Sequence, residues 1–188
     1  RRELAQREQI DRNLRQANLE IARRNRELTL LNRVITATTS DMQPREILGV
    51  VCCELVNAFE AQQAAAALMD ASGTSLTVIA ECKHEEGLSA LGVIIPVQEN
   101  PATLYVLKHK KPLAAPDVQS DVLFAPVRSL MKERKVVSLI ILPVLKNGEV
   151  IGTIGVDWWE PHEFSDQEIA LAAQVSAVAA KALERAGQ

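Results

Sequence analysis

The stretch LIILPVLKNGEVIGTIGVDWW, Leu139 to Trp159, places Gly148, Gly152 and Gly155 within eight residues of an almost unbroken apolar background. Glycines this dense either cradle a phosphate or shape a sheet. A phosphate-binding loop needs a strand, a Gly-rich loop closing in Lys-Ser/Thr, and a helix whose N-terminal amides meet the anion. Here no Lys-Ser/Thr follows, and the residues after Gly148 are β-branched and alternating rather than helical. The dinucleotide fingerprint fails on the same two counts. Lys146-Asn147-Gly148 between two apolar runs is instead a hairpin signal, because Asn-Gly readily takes the positive φ angles of a type I′ turn. Gly152 and Gly155 then lie inside the second strand, where glycine marks a bulge or a close approach to the backbone.

The strand before the turn is apolar on both faces, with Val137, Leu139 and Ile141 alternating with Val136, Ile140 and Leu142. Such a sheet is covered on both sides: helices on one, and helix or ligand on the other. Upstream, AAAALMD and LTVIAEC read as two strands joined by the turn Asp70–Gly73, and GVIIPV as a third. Asn100 and Pro101 mark a helix start that runs toward Pro112. The prolines of LAAPDV confine it to a sheet edge. DVLFAPVRSLMKER predicts an irregular helix broken near Pro126. Ser165 and Glu168 have capping-box spacing at the start of a closing helix.

Residues 1–39 contain neither Gly nor Pro and predict one long helix, roughly 60 Å at ~1.5 Å per residue. Ile10, Leu14, Ala17, Ile21, Leu28, Leu31 and Ile35 form a heptad seam, interrupted by Arg24. Leu30 and Val34 give only the last turns a second apolar side. The first part is therefore expected to pair in a coiled coil, and the last turns also to dock on the body. Ser40 or Asp41 is expected to cap a second helix that runs through Phe59. The closing helix has one apolar side at Ile169, Ala172, Ser176, Ala179 and Leu183 and another at Leu171, Val175, Val178 and Ala182, so it needs two partners.

Charge divides the same way. The first 40 residues hold nine arginines and five acids, a net +4; since the whole chain carries −3, the rest carries −7. The arginines are interleaved with acids around the helix, unlike a nucleic-acid-binding face. At 188 residues the chain suits one domain plus an extension, at roughly 100–200 residues per domain, and it reads as a piece of a longer protein. No run approaches the ~18 apolar residues of a membrane span. Cys52, Cys53 and Cys82 are odd in number and two are adjacent, which argues against a disulfide framework and for a reducing, cytoplasmic setting.

Taken together, Ile95-Pro96, Pro116-Asp117-Val118, Leu142-Pro143-Val144, Gly148-Glu149-Val150-Ile151-Gly152 and Phe164-Ser165, in this order and spacing, give residues 28 to 186 a pattern that resembles the GAF domain, a ligand-binding and dimerising module of signalling proteins. The resemblance implies an α+β fold: an antiparallel sheet with the terminal and second helices on one face, and a ligand pocket on the other roofed by residues 98–135. The long helix occupies 1–39 and the GAF domain 40–188. The resemblance further implies a homodimer through the terminal helices, which carries signals between an upstream sensor and an output such as a histidine kinase or nucleotide cyclase. The interface candidates are Leu14, Ile21, Leu28, Leu31 and Ile35 of the first helix and Ile169, Ala172, Ala179 and Leu183 of the last.

The family's subtypes differ in their residues. Cyclic-nucleotide-binding members carry an Asn-Lys…Phe-x3-Asp-Glu set; Phe164 and Glu168 fit, but Ile169 follows and no Asn-Lys pair precedes. Bilin-binding members attach the chromophore through a Cys in the helical segment before the hairpin, and Asp121–Arg134 holds none. Neither cofactor is assigned. The free methionine sulfoxide reductases use cysteines near the pocket; Cys52 and Cys53 lie on the second helix, on the far face, which leaves Cys82. Cys82 and His84 share a strand face, but two ligands are not a metal site. With Trp158 facing the pocket, alternation places Ile154 and Val156 beside it and Ser138 and Asp157 behind. The resemblance adds Leu139 and Ile141, with Tyr105 in the roof. No catalytic set emerges, so the sequence leaves two readings: a small-molecule sensor, or a ligand-free dimerisation relay.

Overall fold

The structure, a computed structural model, describes residues 1–84 and 86–187. Six antiparallel strands, β1 Gln63–Met69, β2 Ser75–Lys83, β3 Ile94–Pro96, β4 Leu113–Ala115, β5 Ser138–Lys146 and β6 Glu149–Trp158, form one sheet in the order β3-β2-β1-β6-β5-β4. β5 and β6 are the expected hairpin, with Asn147 and Gly148 at φ 51° and 78°. β4 takes the edge that its flanking prolines require.

On one face lie α1 Arg2–Ala37, α2 Pro44–Phe59 and α5 Asp166–Ala186. They share the largest core, where Val34, Ile47, Leu55 and Val175 meet Ala66, Leu142, Ile154 and Val156. Leu30 and Val34 bury the end of α1, as its second apolar side requires, while Leu14, Ile21, Leu28 and Ile35 of the seam stay exposed. α5 departs from expectation. Ala172, Ala179 and Leu183 are buried and Ile169 is partly buried, all within the chain's own core, as is Leu31 of α1. Both apolar sides of α5 are thus consumed internally, by the sheet and by α1 and α2. Its outward residues are Ala170, Gln174, Ala177 and Lys181.

The caps follow local chemistry. Asn100 Oδ1 accepts from the Thr103 amide at the start of α3, Pro101–His109. Ser165 Oγ accepts from the Glu168 amide at the start of α5. The expected cap of α2 is corrected: Gln43 holds that position, Pro44 is the first helical residue, and Glu46 accepts from the Gln43 amide at 2.8 Å. Pro126 sits inside a 3-10 turn, Val122–Val127, that hands over to the short α4, Arg128–Glu133.

The cysteine reading is also corrected. Cys53 of α2 and Cys82 of β2 are disulfide-bonded, Cα to Cα 5.1 Å, across 29 residues of sequence. The bond clips α2 to the sheet on the helical face. Burial, with the Glu81 charge adding to it, pushes the neighbouring Cys52 thiol up to about 12. After mild reduction, iodoacetamide at pH 8 is expected to add two groups to the folded protein and three in denaturant, read by intact mass. A third adduct on the folded protein would contradict the burial of Cys52.

Candidate functional site

The other sheet face carries two smaller clusters instead of one continuous core. Phe124, Val136 and Leu139 gather near α3 and α4, while Leu76, Val78 and Val97 gather at the β2–β3 edge. Between them lies a cavity of about 370 Å³, within the range of small-molecule sites. Its floor is the alternate row of β6, Thr153, Gly155 and Asp157, flanked by Ala65 and Ala67 of β1 and by Leu139 and Ile141 of β5. Phe124, Val127 and Met131 wall one side. Gly155 keeps the middle of the floor flat.

Strand parity divides the expected pocket residues. Leu139 and Ile141 line the cavity. Ile154, Val156 and Trp158 do not: they face the helices, in the main core. Trp158 stacks on His162 at 4.2 Å, meets Phe164 edge-on at 5.2 Å, and donates its Nε1–H to the Phe59 carbonyl at the end of α2. Its indole therefore fastens α2 to the segment entering α5. Putting Trp158 inward reverses every other residue of β6, which is why Asp157, expected behind the sheet, proves to line the cavity. Ser138 does lie off the cavity, where its hydroxyl donates to the Pro116 carbonyl and accepts from the His162 amide. Tyr105 is not in the roof either. α3 turns Ala102, Thr103 and Val106 inward and leaves Tyr105 exposed beside His109, ring centroids 4.3 Å apart.

Few polar side chains reach the cavity. Thr103 and Thr153 are buried, Asn100 is partly buried, and among the described residues Glu99, Arg134 and Asp157 are the ionisable ones. The Arg134 guanidinium is engaged at the rim, where it donates to the carbonyls of Leu88 at 3.0 Å and Ser89 at 3.5 Å. The same loop is held from beneath by Glu81, which accepts from Ser89 Oγ at 2.6 Å and the Ala90 amide at 2.7 Å. Burial works to raise Glu81, but those hydrogen bonds, with Lys83 and Gln63, outweigh it and hold the carboxyl below its usual range. Asp157 is the opposite case. Burial pushes its carboxyl up to about 7 against the lowering pull of Arg134, and it forms no ion pair among the described residues.

His162, which has no partner recognisable in sequence, bonds Glu168 through Nε2 and braces the start of α5. None of the three cysteines lines the cavity. Glu85, part of the acidic ECKHEE stretch, lies outside the described residues. Among the described residues no His, Cys, Asp or Glu group of three or more is placed to hold a metal ion, and no helix is long and apolar enough to cross a membrane.

Solved structures share this arrangement at low sequence identity. The GAF domain from a phosphoenolpyruvate-protein phosphotransferase of Coxiella burnetii superposes with TM-score 0.73 at 18% identity, over 86% of this chain and 94% of that one. The phycocyanobilin-bound GAF domain from a cyanobacterial phytochrome gives 0.73 at 17% identity, over 85% and 94%. The free methionine-R-sulfoxide reductase from Neisseria meningitidis, in complex with its substrate, gives 0.70 at 15%, over 86% and 90%. No curated protein matches the sequence. At these identities the likeness speaks for the fold alone. The sequence itself matches the GAF domain model over residues 43–183, which spans every strand, α2 to α4 and most of α5, and the chain belongs to the GAF domain family.

Proposed function

We propose that this chain is a regulatory GAF domain of a bacterial multidomain signalling protein, which senses a small molecule and passes its state along a dimeric helical bundle to an output such as a histidine kinase or nucleotide cyclase. The observation that carries the reading is the cavity: the core on that face is split in two, and a ligand would join the halves. β6 is the physical link to the helices, since Asp157 and Gly155 line the cavity while Trp158 and Val156 on the same strand pack beneath α2 and α5. A ligand that moves this strand moves the helical layer. The role is regulatory rather than catalytic, and the placement of the cysteines away from the cavity argues against sulfoxide-reducing chemistry.

Dimerisation rests on α1. Leu14, Ile21, Leu28 and Ile35 form an apolar stripe exposed along the helix, which suits pairing with a second copy. That stripe also supports the alternative, a relay that needs no ligand. A native mass spectrum of the purified protein tests both readings. A dimer retaining a stoichiometric small molecule is the expected result; a dimer that never carries one supports the relay. Leu28→Arg with Ile35→Arg is expected to shift the sedimenting species to monomer. A variant that stays dimeric would remove α1 from the interface.

A further inference from the structure

The cavity's supply of hydrogen-bond donors and acceptors is uneven, and the imbalance identifies a ligand class. Acceptors are in surplus. The Asp157 carboxylate forms no ion pair among the described residues, and Glu99 adds a second carboxylate to the wall. The one cationic lining residue among the described residues, Arg134, already has its guanidinium on the Leu88 and Ser89 carbonyls. The described lining thus carries one net negative charge in a mainly apolar chamber whose uncharged polar side chains are Asn100, Thr103 and Thr153. An anionic ligand would face two carboxylates with only Arg134, held at the rim by two carbonyls, to meet it among the described residues. A cationic nitrogen would find Asp157 at the end of the floor, where low polarity strengthens the attraction. Asp157 is partly buried, so part of the desolvation of that carboxylate is already suffered in the folded protein and a ligand cation relieves an existing penalty.

Shape narrows the class further. From Thr153 to Asp157 the floor runs four residues, about 13 Å at ~3.3 Å per residue. Gly155 at its centre offers a side-chain-free surface for a ring, with Phe124 and Met131 on the wall beside it.

Resting on the sensing reading above, we propose that the cavity takes a compact organic cation, with a ring-sized apolar body over Gly155 and a protonated nitrogen bonded to Asp157.

Three indoles that differ only at the end of the side chain test this: tryptamine, tryptophol and indole-3-propionate, titrated by calorimetry at pH 8. Tryptamine is expected to bind at least about tenfold more tightly than the propionate, with tryptophol between them. Asp157→Asn is expected to weaken tryptamine about tenfold while leaving tryptophol within about threefold, which also reports that the variant's cavity is intact. Propionate binding as tightly as the amine, or tryptamine indifferent to Asp157→Asn, overturns the cationic class while leaving a ligand-binding cavity. Failure of all three to bind also overturns it. The sensing reading falls separately, only if the native mass spectrum shows no retained molecule either.

Discussion

Gly152→Ala is expected to destabilise the fold by about 3 kcal/mol, a loss at the upper end of ordinary overpacking. Gly152 sits in β6 between Leu68 of β1 and Val144 of β5. A Cβ built there runs into the Ala67 carbonyl oxygen and comes within 3.0 Å of Leu68 Cδ2. The leucine tip could rotate away, but the carbonyl belongs to the β1 backbone, paired on one side with β2 and on the other with β6. The β1–β2 ladder shifts register close by, between Ala66 and Ala67, and so does the β5–β6 ladder, between Val144 and Leu145. The chains therefore already approach one another as closely as a missing side chain permits. Gly155 is the internal control, because a Cβ there meets only Leu139 Cδ1 at an ordinary 3.7 Å. Gly155→Ala should change stability by less than about 1 kcal/mol. Urea denaturation of the two variants decides the matter, and equal midpoints would refute the close approach at Gly152.

That contrast shows how far Leu139–Trp159 can be read from sequence. The turn was legible because Asn-Gly has few conformations that suit a hairpin, and the structure puts both residues at positive φ. The helix starts at Asn100 and Ser165, the break at Pro126 and the docking of α1 through Leu30 and Val34 were legible for the same reason: each is a local rule or a period. Strand parity was not. β6 puts Ile154, Val156 and Trp158 on one row and Thr153, Gly155 and Asp157 on the other, but alternation alone does not say which row meets the helices, and one misplaced residue, Trp158, carried Ile154 and Val156 with it. A signal lay further along the chain. α5 is so rich in alanine that its sheet partner must supply bulk, and the adjoining His162 and Phe164 offer rings for an indole to pack against. The Cys53–Cys82 pair was hidden for a different reason, since no local pattern brings together residues 29 positions apart on a helix and a strand. α5 was misassigned to a dimer contact because heptad spacing also describes a helix buried against its own sheet.

Asp157→Asn is expected to stabilise the protein by about 2–4 kcal/mol at pH 8 and to leave it nearly unchanged at pH 4. The direction follows from proton linkage. In the unfolded chain the carboxyl titrates near 3.8, whereas burial raises it to about 7 in the folded one. Well below 3.8 both states are protonated and nothing is lost. Between 3.8 and 7 the unfolded state releases its proton while the folded state keeps it, so stability falls as pH rises. Above 7 both are ionised, and the penalty for the buried charge stays constant. Asparagine keeps the shape and cannot ionise, so the difference between variant and wild type should open through this window and then level off. The surrounding charges do not reverse the sign. Arg134 of the segment after α4 lowers the carboxyl but less than burial raises it, Glu99 on the opposite wall is of like charge, and Glu81 on the same sheet face is occupied by Ser89, Ala90 and Gln63. Urea midpoints of both proteins from pH 4 to pH 8 read the difference directly. A flat difference across that range would mean that Asp157 is solvated in the folded state. A rising one identifies a carboxylate kept at a stability cost, and residues held on those terms are the ones a fold retains for what they bind.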